Sequence, residues 1–337
     1  MPVLSPPKRQ PQEAGPSAFG TAALLLAAIA FGSALGLTVP TIAVEVARYT
    51  DLTLLALIFL LFFELRLGAV VKAFGNLRFL TVAWVANFLI VPMLAFAIAS
   101  LLLSGQPLLF AGLMIYFLAP CTDWFLGFTR MAGGDTELGA ALIPVNLVSQ
   151  LLLLPLWLWL FTPATGLVDF GALPGILFQW FLLPMALAQA LRALLTAVLR
   201  ELAFERLLGA TGLLLSLTLG ALIVQIFASH VGAILANAPL FGLVAVAVVL
   251  FFALSFFTGV ALTRMARLSY PEHALLAMTM AARNAPLMLA LTAVAIPGQP
   301  LVLAVIVFGM LVEIPHLTLL RQLLLRRSAH AALPSPT

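Results

Sequence analysis

The sequence predicts an all-α membrane protein with ten transmembrane helices, arranged as a five-plus-five inverted repeat with broken, crossed helices four and nine. Three observations predict it: the composition, ten long apolar runs, and the distribution of the basic residues. Of the 337 residues, 64% are hydrophobic and only 8% are charged, and the mean hydropathy is +1.18. A water-soluble domain carries about 25% charged residues. Most of this chain's surface must therefore face lipid.

Ten apolar runs follow a tail, residues 1–18, that is rich in Pro, Gln and Ser and is predicted to be disordered and cytoplasmic. The runs cover residues 19–39, 52–71, 79–103, 108–132, 138–161, 172–195, 207–228, 239–262, 273–296 and 300–324. Each supplies about the 20 residues that a helix needs to cross a hydrocarbon core about 30 Å thick. The first run could instead be a signal peptide with a weak cleavage site at Ala28-Ile29-Ala30. The hydrophobic segments that follow favour a retained span.

The basic residues test the number of spans independently. With the N-terminus in the cytoplasm and the loops assigned alternately, 14 of the 16 Lys and Arg residues fall on the cytoplasmic side, and only Arg48 falls on the other. The remaining one, Arg283, lies inside the ninth span. Cytoplasmic loops carry the excess of cations in membrane proteins. The asymmetry therefore predicts ten spans with both termini in the cytoplasm. The expected location is the inner membrane of a prokaryote.

The ten spans divide into two sets of five, residues 19–162 and 170–325, and a cytoplasmic tail follows at 326–337. In both sets proline interrupts the fourth span, a tight Gly/Pro connection follows, and the next span contains polar residues. These features are Pro120, Gly133-Gly134-Asp135, Asn146 and Gln150 in the first set, and Pro286, Pro297-Gly298-Gln299 and Glu313 in the second. Because five is odd, the second set must enter the membrane from the opposite side. Inverted-repeat transporters have this arrangement, with the site where the broken helices meet.

The interruption of span four places reactive groups at membrane depth. Pro120 has no N–H and its ring clashes with the preceding turn, so it frees backbone carbonyls. Freed carbonyls persist at that depth only beside protein or a wet cavity. The thiol of Cys121 and the hydroxyl of Thr122 would then lie where a solute could reach them. The alternative is a kinked helix in which Cys121 is a small buried hydrophobe.

Asp123, Arg283 and Glu313 are charged residues predicted inside spans. A charge there is costly unless it is paired or hydrated, so each is a functional candidate. If the two breaks cross, Asp123 and Arg283 could pair and line the pathway. Alternatively, Arg283 extends to an interface or binds an array of backbone carbonyls.

Glu313 is a natural carrier for a proton or a sodium ion, and Pro315 is predicted to break the helix just after it. Gln150 takes the matching place in the first set as a neutral counterpart. Asn146 lies one turn earlier on the same helical face. These two amides could instead form hydrogen bonds between helices.

In these elements the sequence resembles the arsenite permease family, within the superfamily that also contains the bile acid–sodium symporters. The resemblance covers about residues 20–325 and rests on Leu118-Ala119-Pro120-Cys121-Thr122, Gly133-Gly134-Asp135, Asn146, Gln150 and Leu311-Val312-Glu313-Ile314-Pro315. It implies a ten-helix fold with crossed helices four and nine. It also implies efflux of trivalent arsenic, with Cys121 and Glu313 as the essential pair.

The chain departs from the family's pattern in the ninth span. The family usually reads Ser-Asn-Asn-Phe-Glu there, and this chain has Arg283-Asn284-Ala285-Pro286-Leu287. Leu287 thus replaces a carboxylate, which removes one cation ligand and argues against sodium coupling. Asp123 also stands where the family usually has a small or apolar residue. An unpaired Arg283 would favour an anionic substrate.

The sequence therefore predicts a transporter rather than an enzyme or a receptor, because the loops are short and no soluble domain is predicted. The sequence contains no P-loop, which excludes ATP-driven pumping by this chain and leaves a secondary transporter. The favoured function is export of arsenite or a related trivalent arsenical, with a proton or the membrane potential as the driving force. The alternative is an ion-coupled carrier of an organic anion. Expected partners are the lipid bilayer and a small solute; no nucleic acid, cofactor or metal is predicted. The candidate substrate-binding residues are Cys121, Thr122, Asp123, Asn146, Gln150, Arg283, Asn284 and Glu313, with helix breaks at Pro120, Pro286 and Pro315.

Overall fold

The computed structural model describes residues 18–65, 76–122, 124–161 and 171–331, and within these ranges the secondary structure is helical, with no strand. This confirms the all-α prediction. The helices are α1 (Ala18–Thr38), α2 (Pro40–Ala47), α3 (Thr50–Glu64), α4 (Leu77–Leu103), α5 (Pro107–Leu118), α6 (Phe125–Met131), α7 (Thr136–Phe161), α8 (Leu173–Val198), α9 (Glu201–Ala236), α10 (Phe241–Met265), α11 (Tyr270–Ala281), α12 (Ala285–Ala295) and α13 (Pro300–Ala331).

Six helices in the described ranges are long and apolar enough to cross a membrane: α4, α7, α8, α9, α10 (with the short turn before it) and α13. The bent pair of α2 and α3, which meet at 49°, would make a seventh if it were one span. The fourth and ninth predicted spans are each divided, into α5 and α6 and into α11 and α12, so neither forms one long helix. The membrane-protein class is supported, whereas the number of ten spans stays a prediction.

The two divided spans contact each other through their breaks. The backbone N–H of Cys121 donates to the carbonyl of Ala282 at 3.0 Å, and the N–H of Asn284 donates to the carbonyl of Ala119 at 2.9 Å. The paired segments run antiparallel, with Pro120 opposite Arg283. Peptide groups that each break leaves without a helical partner thus bind one another. Non-helical backbone is tolerated at membrane depth when it is buried in protein in this way.

Three prolines were predicted to break helices. Two of them lie at interruptions between helices, whereas the prediction for the third, Pro315, is wrong. Pro120 lies in the first break, and Pro286 lies in the first turn of α12, where a missing N–H costs nothing. Helix α13 continues through Pro315. Proline removes one helical hydrogen bond, but the turns on either side hold the backbone and membrane helices tolerate it. Pro144 and Pro155 lie inside α7 in the same way.

The helices pack in two groups. Helices α1, α2, α3, α8 and α9 contact one another and form the first group. Helices α4 to α7 and α10 to α13 form the second group, which contains both breaks. Contacts of α1 and α9 with α13, and of α3 with α12, join the two groups. Each predicted set of five spans therefore contributes its first two spans to one group and its last three to the other.

The tight connections before α7 and before α13 both depend on a glycine in a left-handed conformation. Gly133 has a φ of 73° and Gly298 has a φ of 76°, a region that a Cβ disfavours. After Gly133, the carboxylate of Asp135 accepts a hydrogen bond from the N–H of Leu138 at 2.9 Å. This bond satisfies a free donor in the first turn of α7.

The packing of α1 against α9 depends on two glycines that lie one turn apart. A Cβ added at Gly32 would lie 2.7 Å from the carbonyl oxygen of Val224, and one added at Gly36 would overlap the carbonyl of Ala228. Glycines at such contacts let the backbones of two membrane helices approach closely. The obstacle is backbone rather than a flexible side chain, so a larger residue must push the helices apart.

We predict that Gly36→Ala lowers the unfolding temperature of the detergent-purified protein by a few degrees, because overpacking costs about 1–3 kcal/mol. Circular dichroism on heating measures this. Gly232→Ala on α9 is the matched control, since nothing lies within 4 Å of its added Cβ. It should leave the temperature unchanged or raise it, because alanine favours a helix by about 1 kcal/mol over glycine. An equal loss in both variants would contradict the proposed contact.

Candidate functional site

The candidate site lies where the two chain breaks meet α13. Helix α5 ends at Leu118 and α11 ends at Ala281, so the last carbonyls of both helices face the crossing without helical partners. Ala119 then adopts an extended conformation, with φ −111° and ψ 111°, as expected for a residue that precedes proline. Ala282 is extended as well, with φ −77° and ψ 135°. These two residues provide the backbone that pairs across the crossing.

Glu313 is fully buried on α13 and accepts three hydrogen bonds from groups near the breaks. The hydroxyl of Tyr116 donates to Oε2 at 2.7 Å, and the indole Nε1 of Trp124 donates to Oε1 at 2.8 Å. The backbone N–H of Arg283 donates to Oε1 at 3.0 Å. Both carboxylate oxygens are therefore bound, which is what a buried charge requires. The carboxylate connects α13 with the end of α5 and with both breaks.

The position of Tyr116 depends on Gly309, one turn before Glu313 on α13. A Cβ at Gly309 would lie 2.7 Å from a ring atom of Tyr116. The tyrosine hydroxyl also lies 3.0 Å from the carbonyl of Gly309. The glycine thus leaves room for the ring to lie flat against α13 and reach the carboxylate.

Arg283 is fully buried, and its guanidinium donates to backbone carbonyls. Nη1 donates to Phe117 O at 3.0 Å, and Nη2 donates to Thr279 O at 2.8 Å and to Met280 O at 2.5 Å. Among the described residues no carboxylate lies within 4.0 Å of the Arg283 guanidinium, since the ion pairs found there involve other residues. Of the sequence-based alternatives, binding to a carbonyl array is the one observed. The predicted partner, Asp123, lies outside the described residues.

A cluster of buried amides and hydroxyls extends from Arg283 towards α7. Asn87, in a π-helical turn of α4, donates to the Thr279 hydroxyl at 3.0 Å, and its Oδ1 lies 3.5 Å from Nη2 of Arg283. Asn146 donates to the same hydroxyl at 3.4 Å. Oδ1 of Asn146 and both amide atoms of Gln150 are buried without a hydrogen-bond partner among the described residues. Buried polar atoms of this kind bind ordered water or a polar solute.

Cys121 and Thr122 lie in the first break, and Thr122 lines a small cavity. Cys121 is fully buried. The Thr122 hydroxyl accepts a hydrogen bond from Nδ2 of Asn284 at 3.0 Å, and Oδ1 of Asn284 accepts from the N–H of Leu287 at 3.4 Å. Thr122, Asn284 and Leu287, with Leu147 from α7, line one wall of the cavity, and Leu61, Phe62 and Leu65 at the end of α3 line the other.

This cavity therefore lies between the two helix groups. Its volume is about 10 Å³, which is room for about one water molecule. A solute larger than water cannot enter beside Thr122 and Asn284 unless the groups move apart.

The structure brings Cys121, Thr122, Asn284, Arg283 and Glu313 together at the crossing, and Asn146 reaches it through Thr279. Gln150 has no bond to the others among the described residues. Sequence reasoning missed Tyr116, Trp124, Asn87 and Thr279. A polar amide inside the apolar third span was a signal for Asn87. The two aromatic residues were indistinguishable from apolar residues that fill a span.

Comparisons with known proteins bear on this region. The family model described as the Sodium Bile acid symporter family matches residues 51–238, more than half of the chain, including the first break. The arsenical-resistance protein Acr3 of Corynebacterium glutamicum is 41% identical over 69 residues. That stretch makes up 20% of this chain and 19% of the relative, so it spans only a small part of the relative's length.

We predict that Tyr116→Phe lowers the free energy of unfolding by about 1–3 kcal/mol, because the buried Oε2 of Glu313 loses its donor. Thermal unfolding in detergent measures the change. Tyr49→Phe is the matched control, since the Tyr49 side chain is exposed, and it should be neutral. Wild-type stability in Tyr116→Phe would show that the carboxylate does not need this hydrogen bond.

Proposed function

Because this chain belongs to the sodium bile acid symporter family, we propose that it is a secondary transporter that exports arsenite or a related trivalent arsenical across the cytoplasmic membrane. The observation that carries the proposal is the position of Cys121. It lies in the antiparallel crossing, bonded to Ala282, and the next residue, Arg283, donates its N–H to Glu313. The backbone N–H of Cys121 and the carboxylate of Glu313 thus bind two consecutive residues, Ala282 and Arg283. The partial identity with an arsenical-resistance protein also supports it.

Thiol chemistry suits this cargo. Arsenite is neutral As(OH)3 at neutral pH, and its soft As(III) centre prefers sulfur ligands. Cys121 and As(OH)3 exchange to give one S–As bond and one water, with the thiol proton leaving on the displaced hydroxide. A single thiolate bond is reversible, as a transporter needs. The chain has one cysteine, so it has no second or third thiol with which to trap the arsenic.

The transport cycle that we propose uses relative movement of the two helix groups in a ten-helix, five-plus-five inverted repeat. The sets 19–162 and 170–325 each divide between the groups in the same way. The left-handed glycines Gly133 and Gly298 occupy matching connections. Movement of the groups would open the small cavity beside Thr122 and Asn284. Glu313 is the proposed proton carrier, and the membrane potential is the alternative driving force.

The orientation with both termini in the cytoplasm is supported by contacts between the predicted cytoplasmic ends. The side chain of Arg78 lies 3.5 Å from the carbonyl of Arg267, and that of Arg321 lies 3.3 Å from the carbonyl of Met131. Each of these contacts joins two helix ends that the distribution of cations assigns to the same side of the membrane.

An ion-coupled carrier of an organic anion is the second candidate. The match to the sodium bile acid symporter family covers residues 51–238, whereas the match to the arsenical-resistance protein covers 69 residues. This difference in coverage favours an organic anion as the substrate. The arrangement of Arg283 weighs against an anion, because three of its side-chain hydrogen bonds go to backbone carbonyls. Uptake of a labelled bile acid by cells that express the protein, with no transport of arsenite, would establish this candidate.

We predict that everted membrane vesicles containing the protein accumulate arsenite, and that Cys121→Ser and Glu313→Gln each reduce the initial rate about tenfold or more. A tenfold loss corresponds to about 1.4 kcal/mol of lost transition-state stabilisation. The rate is measured as vesicle arsenic at equal protein content.

Glu45→Gln is the control for the carboxylate, since Glu45 is exposed and pairs with Arg48 at 3.1 Å. It should transport at the wild-type rate. A full rate in Cys121→Ala would eliminate the thiol mechanism. Absence of arsenite accumulation by the wild type would overturn the proposed cargo.

A further inference from the structure

The guanidinium of Arg283 is a cation enclosed at membrane depth by neutral oxygen atoms. An arginine inside a membrane protein is costly, and it usually pairs with an acid or extends to the interface. Arg283 is fully buried, so it does not reach an interface. The hydrogen-bond and aromatic contacts of its guanidinium among the described residues are with carbonyls, one amide oxygen and one aromatic face. What surrounds it is therefore a shell of oxygen dipoles.

The carbonyls in this shell come from the ends of two helices. Phe117 is next to last in α5, while Thr279 and Met280 lie in the last turn of α11. The last four carbonyls of a helix have no helical partner. The helix dipole adds a partial negative charge of roughly half an electron at each C-terminus. Two such ends converge on one guanidinium, so their mutual repulsion is offset by its positive charge.

Two further groups contribute to the shell, whereas Nε of Arg283 is buried without a hydrogen-bond partner among the described residues. Oδ1 of Asn87 lies 3.5 Å from Nη2. The ring centroid of Phe251 lies 5.8 Å from the guanidinium carbon, and an aromatic face attracts a cation. Carbonyl and amide oxygens are ligands with which proteins bind cations such as K⁺ and Ca²⁺. The shell would therefore bind a cation even if the arginine did not supply one.

We propose that Arg283 permanently occupies, through its own guanidinium, a monovalent-cation site that the C-terminal ends of α5 and α11 form at the crossing. The attached cation holds the two helix ends together, and the chain needs no soluble cation at this position. It also holds the backbone N–H of Arg283 at Oε1 of Glu313, 3.0 Å away. The inference goes beyond the proposed function, since it holds for an arsenical or for an organic anion.

Removal of the guanidinium should expose this site. Arg283→Ala leaves a space lined by oxygen atoms, and polar cavities of sufficient size take up water or a ligand rather than remain empty. Free guanidinium has the shape and charge of the missing group. Sodium and potassium have the charge but not the planar donors. The site in the variant should therefore bind guanidinium best.

The test is thermal unfolding of the full-length protein in detergent, with guanidinium, sodium, potassium or choline chloride added at equal, millimolar ionic strength. We expect Arg283→Ala to unfold at a lower temperature than the wild type in choline. Guanidinium should restore at least half of that loss with a saturable dependence, and sodium or potassium should restore less. The wild type should not distinguish these salts.

Arg192→Ala is the matched control. The Arg192 guanidinium also donates to a backbone carbonyl, that of Phe63, and lies 5.4 Å from the ring centroid of Phe204. Arg192 is not at the crossing, so guanidinium should restore nothing in this variant. An equal response in Arg192→Ala and Arg283→Ala would overturn the proposal, because the salt effect would then be general. No saturable response to any cation in Arg283→Ala would overturn it as well.

A second pair of variants covers the case in which Arg283→Ala does not fold. Arg283→Lys keeps the charge, whereas Arg283→Gln keeps donors without charge. We expect the lysine variant to be the more stable of the two, and only the glutamine variant to respond to added guanidinium. Equal stability with no response would show that the charge is not needed. Since unfolding is measured without cargo, either result leaves the test of arsenite export independent.

Discussion

The rest of this structure depends on one constraint: two helices that are interrupted inside a membrane must satisfy their free peptide groups with each other. The bonds from Cys121 to Ala282 and from Asn284 to Ala119 meet that requirement. Each unsatisfied group would cost several kcal/mol in lipid. The breaks are therefore stable only as a pair, and the pairing determines where α5, α6, α11 and α12 begin and end. Every candidate site residue among the described ranges except Gln150 lies in this crossing or reaches it through a hydrogen bond.

The two opposite charges at the crossing are each stabilised by neutral groups. Glu313 receives a phenol, an indole and a peptide N–H, and Arg283 donates to carbonyls at two helix ends. Removing one partner from a directly paired ion leaves an unpaired buried charge, at a cost of about 3–5 kcal/mol. Here each charged side chain has its own hydrogen-bond partners. Protonation of Glu313 would therefore leave the hydrogen bonds of the Arg283 guanidinium in place. These separate hydrogen-bond partners suit the proposed role of Glu313 as a proton carrier.

The division of the helices into two groups determines which residues would move relative to the crossing in the proposed transport cycle. The crossing lies within the second helix group, and the small cavity beside Thr122 and Asn284 is closed by α3 from the first. The polar residues of the crossing therefore stay together if the groups separate, and only apolar side chains of α3 leave the cavity. In the proposed transport cycle, such a division would let a rigid site alternate between the two sides of the membrane with little rearrangement of its hydrogen bonds.

The sequence by itself determined the features that composition and local chemistry dictate. The low fraction of charged residues predicted a membrane protein. The prolines predicted the helix interruptions at Pro120 and beside Pro286. The energetic cost of a charge inside a span identified Arg283 and Glu313 as candidate functional residues. The tertiary structure decided which groups form hydrogen bonds with these buried charges and with the free peptide groups at the breaks. Tyr116 lies 197 positions from Glu313, and Asn87 lies 196 from Arg283, so no local pattern could pair them. The carbonyls around Arg283 carry no sequence signal, because every residue has one. Pro315 was misjudged because only the surrounding helix decides whether a proline ends it. The fate of a buried polar group depends on what folds against it, and that is a property of the whole chain.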